Sequence, residues 1–204
     1  IIYMPKIWNA MSKPENLPEI NDLPFKKSDI FRFGSFNSFK KISDDVIKVW
    51  SKIINNSNCE LYLKNSGGYN KEIYDNLLMR FKNENADVKK IIFLKKSKST
   101  EFMKDYYKID LALDTFPYTG VTTSFQSYLM GVPVLILKGF NLNSRCGESI
   151  NTNLGLNDFI GENHNDYYKK SIALQDKKKL SNLRSSLRKK VLGSSLFDTD
   201  NFTK

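Results

Sequence analysis

The chain has 204 residues, 40% hydrophobic and 26% charged, which suits a globular protein with one large core or two small ones. No apolar run approaches the roughly 20 residues that cross a bilayer, and the first residues lack a signal-peptide pattern, so we expect a cytoplasmic location. The net charge of +10 favours anionic partners, and nucleic acids, membrane surfaces and phosphorylated small molecules all satisfy it.

Cysteine and histidine are rare. The two cysteines, Cys59 and Cys146, are far apart and in no metal-ligand spacing, which predicts neither a disulfide framework nor a zinc site. We expect both to be small buried residues. The single histidine, His164, lies in a polar stretch for which a surface loop is predicted. No metal site is predicted.

Strands and helices alternate along most of the chain. Residues 1–29 contain four prolines and no sustained periodicity, which predicts an irregular lead-in. The predicted strands are residues 30–36, 60–63, 91–94, 109–113 and 132–137. The predicted helices are residues 44–54, 69–81, 101–107, 122–130, 144–153, 166–174 and 177–191. Residues 192–204 form a tail with no strong pattern.

Helical spacing of the apolar residues predicts which helix faces are buried. In the first helix, with Ser43 as its N-cap, they are Val46, Ile47, Trp50, Ile53 and Ile54. In the second helix they are Ile73, Leu77, Leu78 and Phe81. In the last helix they are Leu180, Leu183 and Leu187, with the Lys and Arg side chains directed outward.

This alternation predicts an α/β fold with a doubly wound, mostly parallel sheet. Ligands of such sheets bind outside the carboxyl ends of the strands. Three polar or basic loops are predicted at that rim, namely residues 37–41, 95–100 and 117–123. The pair Gly67-Gly68 also suggests a phosphate loop, but its spacing matches neither the Walker nor the dinucleotide-binding motif.

The stretch from Asp110 to Pro133 is the most informative part of the sequence. Gly120 would let the chain turn tightly, and Thr122 and Thr123 would offer hydroxyl and N–H groups to a phosphate or diphosphate at a helix start. Lys41 would approach the same phosphate. The alternatives are a threonine that only caps the helix, and a lysine that is merely exposed.

Five motifs occur in the order and spacing of one known family. They are FGSFNSFKKIS (33–43), LDTFPYTGVTTSFQSYLMGVPVLILKG (113–139), SRCGESI (144–150), NLGLNDFI (153–160) and SSLFD (194–198). They resemble the carboxyl-terminal half of the O-linked N-acetylglucosamine transferases, especially bacterial members that follow tetratricopeptide repeats. The resemblance implies the Rossmann-like second lobe of a GT-B glycosyltransferase over residues 30–191. Residues 1–29 would lead in from a missing first lobe.

The resemblance also implies roles for single residues. Lys41 matches the lysine that contacts the donor diphosphate, and Thr122 and Thr123 match the paired threonines that do the same. An inverting transfer leaves negative charge on the departing nucleoside diphosphate, which an ammonium group and helix N–H groups stabilise without a metal ion.

Three positions depart from the family pattern. Ser38 stands where relatives often have an amide side chain. Gln126 stands where an acidic residue usually contacts the ribose hydroxyls, and its amide still offers hydrogen bonds. Phe102 replaces a histidine beside the uridine, and its ring still offers a stacking surface.

The implied function is transfer of a sugar, N-acetylglucosamine by default, from UDP-sugar to Ser or Thr of an acceptor protein or peptide, without a cofactor. Because the first lobe and repeats would lie upstream, we expect little or no transfer by the chain alone. A related transferase with an Asn or non-protein acceptor is one alternative. A non-catalytic binding module with a drifted pocket is another. Nucleic-acid binding ranks last, and no membrane partner is expected.

Overall fold

A six-stranded sheet forms the framework of the protein. The computed structural model describes residues 7–65, 70–98 and 101–202. The strands are β1 (Phe31–Ser35), β2 (Cys59–Leu63), β3 (Ile91–Phe93), β4 (Leu111–Leu113), β5 (Val134–Leu137) and β6 (Ile160–Gly161). They lie in the order β3-β2-β1-β4-β5-β6, and every neighbouring pair is parallel. The predicted doubly wound α/β sheet is confirmed.

Helices connect the strands. The α-helices are α1 (Asp44–Asn55), α2 (Lys71–Asn83), α3 (Thr122–Leu129), α4 (Leu142–Asn153), α5 (His164–Ala173), α6 (Lys177–Leu192) and α7 (Thr199–Phe202). The helix predicted over 101–107 is a 3₁₀-helix, Phe102–Lys108. Within the described ranges, no helix combines the length and the apolar character needed to cross a bilayer.

The order of the strands determines where a ligand can bind. From β1 the chain proceeds to β2 on one side, whereas from β4 it proceeds to β5 on the other side. Right-handed crossovers in opposite directions place α1 and α3 on opposite faces of the sheet. The loops after β1 and β4 therefore diverge and leave a crevice at their carboxyl ends.

Helix α1 follows its predicted pattern. The Ser43 hydroxyl oxygen accepts a hydrogen bond from the Val46 N–H at 3.3 Å, so Ser43 is the N-cap. All five residues predicted to face inward are buried, and Trp50 is fully enclosed. Both cysteines are also buried and unpaired, as predicted.

The buried face of α2 differs from the prediction. Ile73 is 42% exposed, and Tyr74 takes the inward position with Leu77 and Phe81. Tyr74 packs against the rings of Phe39 and Phe93, with centroid distances of 5.4 and 4.4 Å. The buried stripe of α2 thus runs through Tyr74, Leu77 and Phe81, spaced i, i+3 and i+7, and leaves Ile73 beside it.

Strand β6 and the helical structure of the tail were not predicted. Strand β6 has only two residues, too few for any alternation in the sequence. The tail forms a 3₁₀-helix, Ser195–Phe197, followed by α7, and Leu196 and Phe197 are buried.

His164 begins α5 rather than lying in a loop, although its side chain is exposed as expected. The pair Gly67-Gly68 lies outside the described residues.

Arg184 of α6 was predicted to face outward and is instead 2% exposed. Its guanidinium group donates to the Asn21 carbonyl oxygen at 2.9 Å and to the Asn21 side-chain oxygen at 2.6 Å. It also donates to the carbonyl oxygens of Ile109 and Tyr106 at 3.0 and 3.3 Å. The guanidinium group therefore links the lead-in segment to α6 and to the residues before β4. It can be buried because these oxygens replace the water that would hydrate it.

We predict that Arg184→Met lowers the free energy of unfolding by about 3 kcal/mol, because it removes a buried group that links three segments. Urea unfolding followed by circular dichroism measures the change. Lys178→Met on the exposed face of the same helix is the control, and it should change stability by less than about 0.5 kcal/mol. Equal stability of the two variants would contradict this role.

Candidate functional site

A cavity of about 660 Å³ opens at the carboxyl rim of the sheet, where the strand order reverses. Six of the seven residues predicted for the site line this cavity: Ser38, Lys41, Phe102, Thr122, Thr123 and Gln126. They come from three separate parts of the sequence. The cavity wall also includes Trp8 of the lead-in segment, Asn37, Tyr118, Thr119 and the buried Cys146.

The start of α3 is uncapped. Val121 occupies the N-cap position without a side-chain hydrogen bond, and Thr122 and Thr123 are the first helical residues. Neither threonine caps the helix, so the capping alternative is wrong. In contrast, each described helix of ten or more residues has a capping side chain: Ser43, Asn70, Asn141, Asn163 or Asp176. The first N–H groups of α3 therefore remain available to an anion.

Lys41 adds a positive charge beside this helix start. Its ammonium group donates to the Thr119 carbonyl oxygen at 3.0 Å and lies 4.2 Å from the centre of the Tyr118 ring. Burial lowers the pKa of Lys41, and the nearby Asp114 carboxylate opposes this effect. The half-buried charge contacts a carbonyl dipole and a ring face, so it can still bind an incoming anion.

Gly120 lies behind the cavity wall rather than in it. Gly131 and Gly155 have positive φ values, whereas Gly120 does not, so close packing and not a left-handed backbone favours glycine at this position. A Cβ atom at this position would lie 2.5 Å from the Thr123 hydroxyl oxygen, 2.8 Å from the Asn37 side-chain oxygen and 3.0 Å from Asp114 Oδ1. Glycine is required here because three polar groups approach the backbone closely.

Asp114, at the end of β4, is the centre of these polar contacts. Its Oδ1 atom accepts hydrogen bonds from the Gly120 N–H at 2.7 Å, the Thr115 N–H at 2.9 Å and the Asn37 side-chain amide at 2.9 Å. The Asn37 side-chain oxygen in turn accepts from the Thr123 hydroxyl at 2.8 Å. Burial raises the pKa of Asp114 to about 7, although these donors favour the charged form.

Asn37 and Asp114 were not predicted to have roles in the site. Each polar residue follows a strand, Asn37 after β1 and Asp114 after β4. That placement was a usable signal, but it acquires meaning only when β1 and β4 are known to be neighbours. The two side chains then meet across the point where the order of the sheet reverses.

The rim loop predicted at residues 95–100 contributes less than expected. Among its described residues, 95–98, none lines the cavity, whereas Phe102 just beyond it does. Lys64 lies 4.3 Å from the centre of the Phe102 ring and forms a buried ion pair with Asp105, which also accepts from the Ser97 hydroxyl. The loop therefore supports the position of Phe102 from behind.

A second cavity, of about 550 Å³, lies on the other side of Pro117. The helices that begin there, α4 and α5, are capped by Asn141 and Asn163. Its lysine, Lys138, is paired with Glu162 at 3.0 Å. This cavity lacks the free N–H groups and available positive charge of the first one, so we assign the candidate anion site to the first cavity. Within the described ranges, no group of three His, Cys, Asp or Glu residues could hold a metal ion.

The strand order defines a Rossmann-like domain, and an uncapped helix start beside a lysine gives it a candidate anion site at the point of reversal. Sequence comparison identifies the family. The model of glycosyl transferase family 41 matches residues 22–204, and the chain belongs to this family.

Named relatives include plant proteins. The chain is 29% identical to the probable UDP-N-acetylglucosamine–peptide N-acetylglucosaminyltransferase SPINDLY of Eustoma exaltatum, over 99% of the chain and 22% of that protein. It is 32% identical to the protein of the same name from Petunia hybrida, over 93% of the chain and 21% of that protein. The chain thus spans about a fifth of the length of these curated relatives.

Solved structures agree with this assignment. A mutant of the O-GlcNAc transferase from Thermobaculum terrenum superimposes with a TM-score of 0.83 and 27% identity, over 94% of this chain and 36% of that one. The carboxyl-terminal domain of a group 1 glycosyl transferase from Francisella tularensis has a TM-score of 0.59 and 13% identity, over 85% of this chain and 92% of that one. The second similarity concerns the fold alone. Together they confirm the predicted family and the GT-B lobe.

The buried Asp114 should make stability depend on pH. Its folded pKa of about 7 exceeds its ordinary value of 3.8, so unfolding releases a proton between these values. The contribution of Asp114 to the free energy of unfolding is therefore full below about pH 4 and falls by about 1.4 kcal/mol per pH unit until about pH 7.

We predict that Asp114→Asn removes the decrease in the free energy of unfolding that Asp114 causes between about pH 4 and pH 7. Urea unfolding of both proteins at pH 5, 6, 7 and 8 measures it, as the stability difference between wild type and variant. Asp110, whose pKa burial raises to about 6, is present in both proteins and cancels from the difference. A difference that stays constant between pH 5 and 7 would show that Asp114 is not held in this way.

Proposed function

We propose that this chain binds the UDP part of a nucleotide sugar in the cavity lined by Lys41 and Thr122. As part of a longer family 41 enzyme, it would serve the transfer of N-acetylglucosamine from UDP to Ser or Thr of an acceptor protein or peptide. The relatives are named as probable UDP-N-acetylglucosamine–peptide N-acetylglucosaminyltransferases, which is the basis for the donor and the peptide acceptor in this proposal. Because the chain spans about a fifth of those proteins, the proposal for this chain itself concerns donor binding.

The observation that carries the proposal is the uncapped start of α3 beside Lys41. A diphosphate placed there would accept hydrogen bonds from the first N–H groups of the helix and from the exposed Thr122 hydroxyl. The Lys41 ammonium would supply the opposite charge from the facing wall. Both contributions are fixed before the ligand arrives.

The same groups suit the chemistry of sugar transfer. When the bond between the anomeric carbon and the diphosphate breaks, negative charge builds up on the departing phosphate oxygen. The helix N–H groups and the Lys41 ammonium would stabilise that charge more strongly than the neutral bridging oxygen of the intact donor. Lys41 would thus assist the leaving group, and no metal ion or other cofactor is included in the proposal.

The remaining lining residues suit the nucleoside. Phe102 presents an aromatic ring on which a uracil base can stack. Gln126 lies one helical turn beyond Thr122 and offers an amide to the ribose hydroxyls, and Ser38 offers a hydroxyl beside Lys41. That all three face the same cavity supports a donor-binding role over that of a module with a drifted pocket.

We predict that UDP binds the chain in isothermal titration calorimetry and that Lys41→Ala weakens binding by about tenfold to hundredfold. This range corresponds to the loss of a charge-assisted hydrogen bond. The matched control is Lys40→Ala, because Lys40 is exposed, adjacent and outside the cavity. It should change UDP affinity less than about twofold, since an exposed charge is largely screened.

Three outcomes would refute this proposal. One is the absence of measurable UDP binding, and another is equal binding by Lys41→Ala and wild type. The third is binding of uridine as strong as that of UDP, because the diphosphate would then make no contribution. Oligonucleotide binding with steep salt dependence, unchanged by Lys41→Ala, would indicate the nucleic-acid alternative.

A further inference from the structure

A directed chain of hydrogen bonds runs from the end of β4 to the start of α3. The Asn37 amide donates to Asp114 Oδ1 at 2.9 Å, and the Thr123 hydroxyl donates to the Asn37 side-chain oxygen at 2.8 Å. Asn37 is 5% exposed and Asp114 is 1% exposed, so water does not compete for these groups. The chain therefore has a fixed polarity.

That polarity follows from the chemistry of the groups involved. Asp114 Oδ1 already accepts from two backbone N–H groups, those of Thr115 and Gly120. It is thus an acceptor, and the Asn37 side chain must present its NH₂ group to it. The Asn37 oxygen then faces Thr123. Only the hydroxyl proton of Thr123 can complete that contact.

The two threonines at the helix start consequently differ. The hydroxyl proton of Thr123 is directed inward, toward Asn37. Thr122 is exposed at the cavity, and no protein group of the described chain binds its hydroxyl. The Thr123 backbone is also fixed through its carbonyl oxygen, which accepts from the Tyr106 hydroxyl at 3.0 Å.

We propose that Asp114 and Asn37 are positioning residues of the donor site, and that they assign different roles to Thr122 and Thr123. Thr123 anchors the start of α3 through its inward hydroxyl and meets the diphosphate with its N–H group alone. Thr122 uses its side-chain hydroxyl on the ligand. This proposal rests on the proposed function, because the ligand is the UDP diphosphate.

Double-mutant cycles of UDP affinity test the division of roles. Asn37→Ala and Thr123→Val break the same hydrogen bond, so each should weaken UDP binding by about fivefold and the double variant should bind no worse than Asn37→Ala alone. Thr122→Val is the matched control, since it removes a hydroxyl one residue away. Thr122→Val should also weaken UDP binding by about fivefold. Because the two effects are independent, Thr122→Val combined with Asn37→Ala should weaken binding by about twenty-fivefold. Urea unfolding confirms that each variant is folded.

A second measurement tests the role of Asp114 without any ligand. The Gly120 amide proton, observed by ¹⁵N–¹H NMR, should shift as the Asp114 carboxylate titrates near pH 7, and Asp114→Asn should abolish this shift. The other titratable groups that interact with Asp114 are Lys41, Cys146, Tyr106, Tyr128 and Tyr167. Burial raises the pKa of the thiol and the three tyrosines further above neutrality.

The outcomes separate this proposal from the proposed function. Multiplying effects of Asn37→Ala and Thr123→Val would show that the Thr123 hydroxyl contacts the ligand independently, and would overturn the division of roles. A Gly120 resonance that does not titrate would overturn the positioning role of Asp114. If wild type fails to bind UDP while the Gly120 resonance titrates as expected, only the proposed function and the roles that depend on it are lost.

Discussion

The hydrogen bond between Asn37 and Asp114 joins the two strands at which the order of the sheet reverses. At this point the chain diverges toward opposite edges, so no crossover covers the ends of β1 and β4. A crevice therefore forms at these strand ends, and the residues around and beneath it determine which ligand it can bind. Beneath it lies the buried carboxylate of Asp114, whose donors come from the loops after both strands. The loop after β4 and the first turn of α3 depend on that contact for their position.

A buried carboxylate requires space and donors, and the surrounding residues provide both. Gly120 brings a backbone N–H to 2.7 Å from Asp114 Oδ1, which no residue with a side chain could do without moving its neighbours. On the other side, a Cβ atom at Gly147 of α4 would lie 2.9 Å from Ile136 and 3.3 Å from Asp114 Oδ2. Small residues thus let α3 and α4 approach the carboxylate closely. Burial nonetheless raises the pKa of Asp114 to about 7, so the donors to Oδ1 offset only part of the cost of burying the charge.

Elements whose structure is determined by one segment alone were predicted correctly from the sequence. The apolar stripe of α1 and its Ser43 cap are local signals, and so are the buried strands that define a doubly wound sheet. The lining residues were found because loops after parallel strands share one rim, and because the motifs resemble a known family. What escaped prediction depends on distant neighbours. Arg184 is buried because carbonyl oxygens more than 70 residues away in sequence surround it, and Asn37 meets Asp114 across a separation of 77 residues.

The segments near the two ends of the described chain are hydrogen-bonded to each other beside the cavity. The Met11 N–H donates to the Leu196 carbonyl oxygen at 2.9 Å, three residues after Trp8 enters the cavity wall. The neighbouring Phe197 packs edge-on against Phe125 of α3, with ring centroids 5.6 Å apart. None of the described tail residues, 192–202, lines the cavity, yet the tail contacts both the segment that carries Trp8 and helix α3, which do line it. Loss of the tail contacts would therefore free both Trp8 and α3 to move, and the cavity would widen although the tail does not line it.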